Sequence, residues 1–263
     1  MSLNQQIGLA HVGIKTAMRY RWEAIAVIIT TPITLIIYYF LWKSVFAYTG
    51  AETIRGFAFN EMVQYYVLSM LVGFFTWSEV DKWMENDLVH GWIVKGMLKP
   101  VGLIPWYLSF EIGINAYNIV TQMIPVFLIG VVFFGLHIAP VLPFLGFLLS
   151  IVFAFLIYFG MAFLLGLGSF WMKRIYGLRR VRRMVVAFLG GSFIPIAFFP
   201  QSVQAASHFL PFQYARSVPI LIYLQRAPLA ESLLAQLAWV VVLYTIIYFV
   251  SKKAARRYVS VGL

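Results

Sequence analysis

Six long apolar runs, separated by connections that are alternately basic and almost uncharged, constrain this sequence more than any other feature. A helix that crosses the hydrocarbon core of a bilayer needs about 20 apolar residues. The runs that reach or approach this length are Trp22–Phe46, Met62–Trp77, Ile112–Leu136, Val141–Trp171, Met184–Phe199 and Leu233–Ser251. They predict an all-α integral membrane protein with six transmembrane helices in a single domain, residues 1–263.

Composition supports lipid rather than water as the surrounding medium. Hydrophobic residues make up 62% of the chain and charged residues 11%, whereas soluble domains carry about 45–50% and about 25%. There is no cysteine, which excludes disulfides and thiolate metal sites. The first apolar run follows Arg21 and is too long for the apolar region of a cleavable signal peptide.

The positions of the basic residues predict the orientation, because connections on the cytoplasmic side of a membrane are enriched in Lys and Arg. With six spans, sixteen of the 20 Lys and Arg residues fall on one side. The other side has only Lys43, Arg55, Arg216 and Arg226. We therefore expect a multi-pass protein of the plasma (inner) membrane with both termini in the cytoplasm.

Two segments outside the six runs are also apolar. Residues 1–21 have an apolar stripe at helical spacing, which predicts an amphipathic helix lying in the membrane interface; the alternative is a frayed polar leader. This stripe consists of Leu3, Ile7, Ala10, Ile14 and Met18. Residues 200–231 are semi-apolar but interrupted by four prolines, which predicts short helices that re-enter the outer leaflet.

The connection at residues 78–104 contains acids, bases, tryptophans and aliphatic side chains. Its acids come first, at Glu79, Asp81, Glu85 and Asp87. Large apolar residues then stand where a simple water-facing loop would not need them, as at Trp92. This pattern favours docking onto a protein or lipid surface over a loop that packs on itself.

The third span has a polar face. Its residues recur at i, i+4, i+7 and i+11 and are Glu111, Asn115, Asn118 and Gln122. Polar groups at membrane depth are costly against lipid, so this face should point at other helices or at a wet cavity. Two interpretations stay open: interhelical hydrogen bonding or the lining of a substrate path. Pro125, one turn later, predicts a bend.

Several kinds of chemistry have no matching motif in the sequence. There is no phosphate-binding loop of the form G-x-x-x-x-G-K-[ST], no G-x-S-x-G elbow, and no spaced His and carboxylate pair. We therefore expect neither an ATPase site nor a metal site in this chain. The basic stretch after the fourth span favours a role in topology and contact with anionic lipid over nucleic-acid binding; its residues are Lys173, Arg174, Arg179, Arg180, Arg182 and Arg183.

Several stretches in order resemble a known family. In chain order they begin with Tyr20–Ala24 and Tyr38–Trp42, and Gly91 then precedes Met97-Leu98-Lys99-Pro100-Val101. The later stretches are Gly190–Pro195, Phe199–Pro200, Leu210–Tyr214 and Pro219. Together they resemble the permease subunits of ABC transporters of the type-two exporter class, in the branch of uncharacterised and drug-resistance permeases. Lys99 and Met97 stand where that family usually has arginine and leucine.

The resemblance implies a half-transporter that has no ATPase site of its own. Two permeases, identical or different, would pair above two soluble ATPase subunits that bind ATP and Mg. Coupling to the ATPases would involve Glu85, Gly91, Leu98, Lys99 and Pro100. The alternative is a self-contained secondary transporter or channel that uses the polar face of the third span. The aromatic-rich, low-charge interior would suit an amphipathic or apolar cargo such as a lipid, drug or peptide.

Overall fold

The computed structural model describes residues 3–92, 102–172 and 174–260, with side chains described as far as residue 256. The structure is 82% helical, in agreement with the predicted all-α class. The helices are α1 Leu3–Arg19, α2 Arg21–Thr49, α3 Phe59–Thr76, α4 Val80–Val89, α5 Leu103–Asn118, α6 Ile124–Phe134, α7 Val141–Leu167, α8 Tyr176–Leu189, α9 Gln201–His208, α10 Pro211–Tyr214, α11 Ser217–Tyr223 and α12 Leu229–Ser260.

Within these described ranges, four helical stretches are long and apolar enough to cross a membrane. They are Arg21–Thr49, Leu103–Phe134, Val141–Phe170 and Leu229–Arg256. Each overlaps a predicted span. In α7, 61% of the most apolar stretch is buried, against 17% or less in the other three. Helix α7 therefore lies at the centre with α3, while α2, α5–α6 and α12 leave apolar side chains exposed around them.

The second and fifth predicted spans are not among these four stretches. The second corresponds to α3, whose 18 residues include Glu61 and Gln64 and are largely buried by neighbouring helices. The fifth was expected at Met184–Phe199, but the helix α8 begins at Tyr176 and ends at Leu189. It stops there because Gly191 adopts a φ of +83°, a conformation that ends helices, and Pro195 follows.

A short β-hairpin connects α2 to α3 and is the exception to the all-α prediction. Strands Thr53–Ile54 and Phe57–Ala58 pair antiparallel through a two-residue turn, in which Arg55 and Gly56 both have positive φ. The guanidinium of Arg226, which follows α11, donates to Glu61 Oε2 at 2.6 Å and stacks on Phe57. This end of α3 is thereby tied to the region after α11.

The third predicted span is one helix with an irregular centre. Helices α5 and α6 are joined by a π-helical turn at Ile119–Met123, directly before Pro125. Proline lacks the backbone N–H that a regular helix requires, and π-turns are a common accommodation at such positions. The helix is therefore irregular next to Pro125, and the predicted bend at this proline stays a prediction.

Helix α1 packs lengthwise on α5 through small residues. Gly13 and Gly113 are both buried, and a Cβ added to Gly13 would overlap the Phe110 carbonyl, while one added to Gly113 would overlap the Ala10 carbonyl. The face toward α5 is thus a small-residue face. Part of the stripe predicted from sequence, at Leu3, Ile7 and Met18, stays exposed and leaves an apolar surface for lipid.

This close backbone contact predicts opposite effects of the same substitution at two helical glycines of the α1–α5 pair. Gly8→Ala meets no atom within 4 Å and should leave stability unchanged or raise it by up to about 1 kcal/mol, since alanine favours helix. Gly113→Ala should lower stability by about 1–3 kcal/mol through overpacking. Thermal unfolding of the detergent-solubilised variants measures both, and an unchanged melting temperature for Gly113→Ala would contradict the packing.

Candidate functional site

Helix α4 lies beyond the Thr76 end of α3 and packs against α7 and α8. Its apolar residues Val80 and Met84 are fully buried in a cluster with Phe159 and Phe163 of α7. Close approach to α7 depends on Gly166, because a Cβ there would stand 3.1 Å from the Met84 sulfur. These contacts fix the position of α4 relative to α7.

The acids of α4 and the segment before it form ion pairs with the arginines of α8. Asp81, which has no exposed surface, accepts from Arg182 Nε at 3.1 Å and from its terminal nitrogen at 2.8 Å. Arg179 binds Glu85 and also approaches Asp81, with Nε 3.7 Å from Oδ1. Since Asp81 contacts both arginines, α4 and α8 share one connected charge network.

The network continues toward α3 through Glu79. Its carboxylate accepts from Arg183 at 2.7 Å and from Lys82 at 2.8 Å. Burial alone would raise the pKa of Glu79, but the two cationic partners hold it below its ordinary value. Glu79 therefore stays ionised at neutral pH. Arg183 also stacks on Trp77, with its guanidinium 4.8 Å from the ring centre.

Helix α4 is also bound to α5. Tyr107 donates to Asp87 Oδ2 at 2.6 Å, and Trp83 packs edge-on against Phe110 at 5.5 Å between ring centres. Burial raises the pKa of Asp87, although the hydrogen bond from Tyr107 opposes the rise. Any displacement of α4 must therefore move α5 and α8 or break these contacts.

A cavity of about 700 Å³ opens beside this network. Its wall is formed by α1, α2, α3, α5, the segment before α4 and the region around Arg216. Polar and charged groups near the α4 end include Glu79, Lys82 and Glu111, and aromatic groups near the Phe59 end include Tyr38 and Tyr66. The cavity thus has one charged end and one aromatic end.

The structure brings three of the four polar residues of the third span to this cavity. Glu111, Asn118 and Gln122 line it, and Gln122 donates to Asn118 at 3.3 Å. Glu111 accepts from the backbone N–H of Glu79 at 3.3 Å. Asn115 is buried, and neither atom of its amide has a hydrogen-bond partner among the described residues. Residues of the polar face therefore line the cavity, and one of them, Glu111, also binds the segment at the start of α4.

The residues expected to couple to an ATPase lie in different settings. Glu85 is buried in the ion-pair network, so it positions α4 instead of facing outward. Gly91 follows α4 in an exposed position with a φ of +71°. Leu98, Lys99 and Pro100 lie outside the described residues.

Three of the six basic residues assigned to topology and lipid contact form ion pairs within the protein. Arg179, Arg182 and Arg183 bind the acids described above, whereas Arg174 and Arg180 are exposed. Lys173 lies outside the described residues. The spacing of these residues gives an indication of the pairing in the sequence. Asp81 and Glu85 are spaced i, i+4, so both acids lie on one face of their helix. Arg179 and Arg182 are spaced i, i+3, so both arginines also lie on one face.

These features define a multi-pass integral membrane protein with a cavity among its helices and a charged helix fixed at one end of that cavity. A known family matches nearly the whole chain: the family described as ABC-2 family transporter protein matches residues 22–262. The chain belongs to this family, and it is therefore a membrane permease of the ABC transporter class. A search of curated proteins finds no match.

The burial of Asp81 predicts that its charge is needed for the fold. Asp81→Asn leaves Arg182 without its carboxylate in a buried site, and removing one partner of a buried pair costs about 3–5 kcal/mol. Lys82→Gln removes a half-exposed pair and should cost at most about 1 kcal/mol. Thermal unfolding in detergent compares the two variants, and equal losses would show that the buried pairs do not hold α4 in place.

Proposed function

We propose that this chain is the membrane-spanning subunit of an ABC exporter and couples ATP hydrolysis by separate ATPase subunits to movement of a substrate through the cavity. The observation that carries the proposal is the position of the α4 region. Glu79 and Lys82 belong at once to the cavity wall and to the ion-pair network that joins α4 to α8. A force applied to α4 from outside the membrane would thus reach the cavity directly.

The proposed docking surface is the cytoplasmic segment 78–104 together with α1; of this segment, residues 93–101 lie outside the described ranges. Val89, His90 and Trp92 at the end of α4 are exposed, and the rings of His90 and Trp92 stack at 5.0 Å. Exposed aromatic and aliphatic groups beside charged ones are typical of protein interfaces. The ATPase would bind there, and ATP and Mg would be held by that partner.

The complete proposed topology has six spans with both termini in the cytoplasm of the plasma (inner) membrane. Helix α3 would be the second span, and α8 with the chain that follows it the fifth. Residues 200–231 would re-enter from the outer side. This assignment is supported by the short α9, α10 and α11, since α11 packs against α3 and α7 instead of extending outward. A second permease, identical or different, would complete the path.

The proposal predicts that this chain purifies from its native membrane with a soluble ATPase that has a phosphate-binding loop. Mass spectrometry of the mildly solubilised complex is the measurement. A stable complex that holds this permease and repeatedly lacks such an ATPase would contradict the proposal.

Gly91 and Gly50 allow a controlled test of the docking surface. Both have positive φ, +71° and +60°, and both are open to an added Cβ, so alanine strains each backbone by about 1–2 kcal/mol. Gly50 follows the last residue of α2, at the end of the helix bundle opposite to Gly91. We expect Gly91→Ala to reduce the effect of ATP on the cavity, while Gly50→Ala leaves it intact.

The readout for this pair is a cysteine placed in the cavity by Asn118→Cys, since the chain has no other cysteine. Its rate of thiol labelling in the complex with the ATPase is compared with and without ATP. Equal responses of the Gly91→Ala and Gly50→Ala variants would remove Gly91 from the coupling surface.

A self-contained secondary transporter remains a second candidate, because Glu111, Asn118 and Gln122 line the cavity together. This function requires no ATPase. In liposomes that contain this chain alone, an ion gradient would then change the labelling of Asn118→Cys. We expect no such change, and a response to the gradient without ATPase would favour this alternative.

A further inference from the structure

Arg216 is a buried guanidinium that reaches the cavity between its charged and aromatic ends. Only 8% of the residue is exposed, and it lines the cavity opposite Gly73 of α3, where an added Cβ would stand 3.3 Å from an Arg216 terminal nitrogen. Its guanidinium also lies 4.7 Å from the ring centre of Tyr158. Tyr158 is nine residues before the end of α7, about 14 Å along that helix.

No carboxylate in this chain balances that charge. All nine Asp and Glu residues lie within the described ranges, and none forms an ion pair with Arg216. Arg182 stacks on the same tyrosine ring at 4.9 Å, but its charge is compensated by Asp81. Within the chain the guanidinium hydrogen-bonds to the Tyr158 side chain and stacks on its ring, but Tyr158 is not a carboxylate. An ionised side chain at this depth is expensive, and one without a counter-ion marks a functional position.

A second donor without a partner lies in the same part of the wall. Ser192 lines the cavity, and its hydroxyl is buried and has no hydrogen-bond partner among the described atoms. Arg216 also lines the cavity, and its Nε is likewise buried and without a partner. Ser192 follows Gly190 and Gly191 in sequence, and Gly190 touches Arg216, with a Cβ position 2.9 Å from Arg216 Cγ. Two unsatisfied donors, one of them cationic, therefore lie together on this wall.

The surroundings determine what kind of anion fits. From Arg216 toward the Phe59 end of α3, the wall is formed by Met70, Phe193 and the stacked pair Tyr38 and Tyr66, whose ring centres are 4.0 Å apart. This part of the wall is apolar and aromatic. In the opposite direction, Glu79 is compensated by Lys82 and Arg183, and Glu111 accepts a backbone N–H.

We propose that Arg216 and Ser192 bind the acidic group of an amphipathic organic anion, whose apolar body lies against Tyr38, Tyr66, Met70 and Phe193. The inference deepens the proposed function, because it assigns a substrate class to the cavity. Charge-assisted hydrogen bonds hold the acidic group, and the aromatic wall contributes affinity only for a ligand that has an apolar body.

The test uses the full chain in nanodiscs of phosphatidylcholine, without any ATPase. Three photoreactive probes share one diazirine-bearing dodecyl tail and carry a phosphate, a trimethylammonium or a maltoside headgroup. Labelled peptides are quantified by mass spectrometry. We expect the phosphate probe to label the segment around Phe193 about tenfold more than the ammonium probe, since a hydrogen bond to a charged group is worth roughly one such factor or more.

The variants separate a binding role from a packing role. Arg216→Gln should reduce phosphate-probe labelling about tenfold and Ser192→Ala about threefold, whereas Arg216→Lys keeps the charge and most of the labelling. Arg180→Gln is the matched control, because it removes an exposed arginine and should change nothing at this site. If Arg216→Gln aggregates, the Ser192→Ala variant and the three-probe comparison still decide.

Equal labelling by all three probes, or phosphate labelling that survives both Arg216→Gln and Ser192→Ala, would overturn the site. Because no ATPase is present, this result is independent of the test for ATP coupling. If the chain purifies with an ATPase but the three probes label the cavity equally, only this inference is refuted. A phosphate-selective cavity in a chain without an ATPase partner would refute the proposed exporter and leave the site in place.

Discussion

The buried ion pairs between α4 and α8 are the interaction on which the arrangement of this protein depends. Removing a carboxylate and a guanidinium from water is costly, and their attraction offsets that cost only when both partners are held in good geometry. Asp81 and Glu85 are enclosed by Arg179 and Arg182. Without α8, the buried acids of α4 would have no cationic partner, and without α4 the arginines of α8 would have no acidic partner. Each helix is therefore stable in its position only when the other is present.

This dependence explains why the cavity has its polar end where it does. Glu79 continues the ion-pair network and is also part of the cavity wall, and its backbone N–H donates to Glu111 of α5. The polar face of the third span is thereby connected to α4. Glu111 combines a hydrogen bond to another segment with a place in the cavity wall, whereas Asn118 and Gln122 line the cavity and bond to each other. Whether the cavity is a substrate path stays a prediction.

The sequence was sufficient where a single physical rule dominated. Apolar length located α2, α5–α6, α7 and α12, because a bilayer requires that length in any context. The helix α8 was misplaced because its first half is basic, and a rule based on hydropathy assigns arginines to water or lipid headgroups. Here three of those arginines have carboxylate partners about a hundred residues away in sequence, at Glu79, Asp81 and Glu85. The matching spacings of these acids and arginines are compatible with the pairing, but hydropathy does not assign partners so far apart in sequence. It did not reveal the buried position of Arg216 either.

If an ATPase acts on α4 as proposed, the ion pairs require α4 and α8 to move as one body. The most direct measurement is the distance between spin labels in the complex with the ATPase, with and without trapped nucleotide. One pair, Asn86→Cys with Arg180→Cys, reports on α4 and α8, and both sites are exposed. A second pair, Asn86→Cys with Trp22→Cys, reports on α4 and the cavity wall in α2. We expect an unchanged distance for the first pair and a changed distance for the second. A changed distance for the first pair with an unchanged second would contradict this expectation.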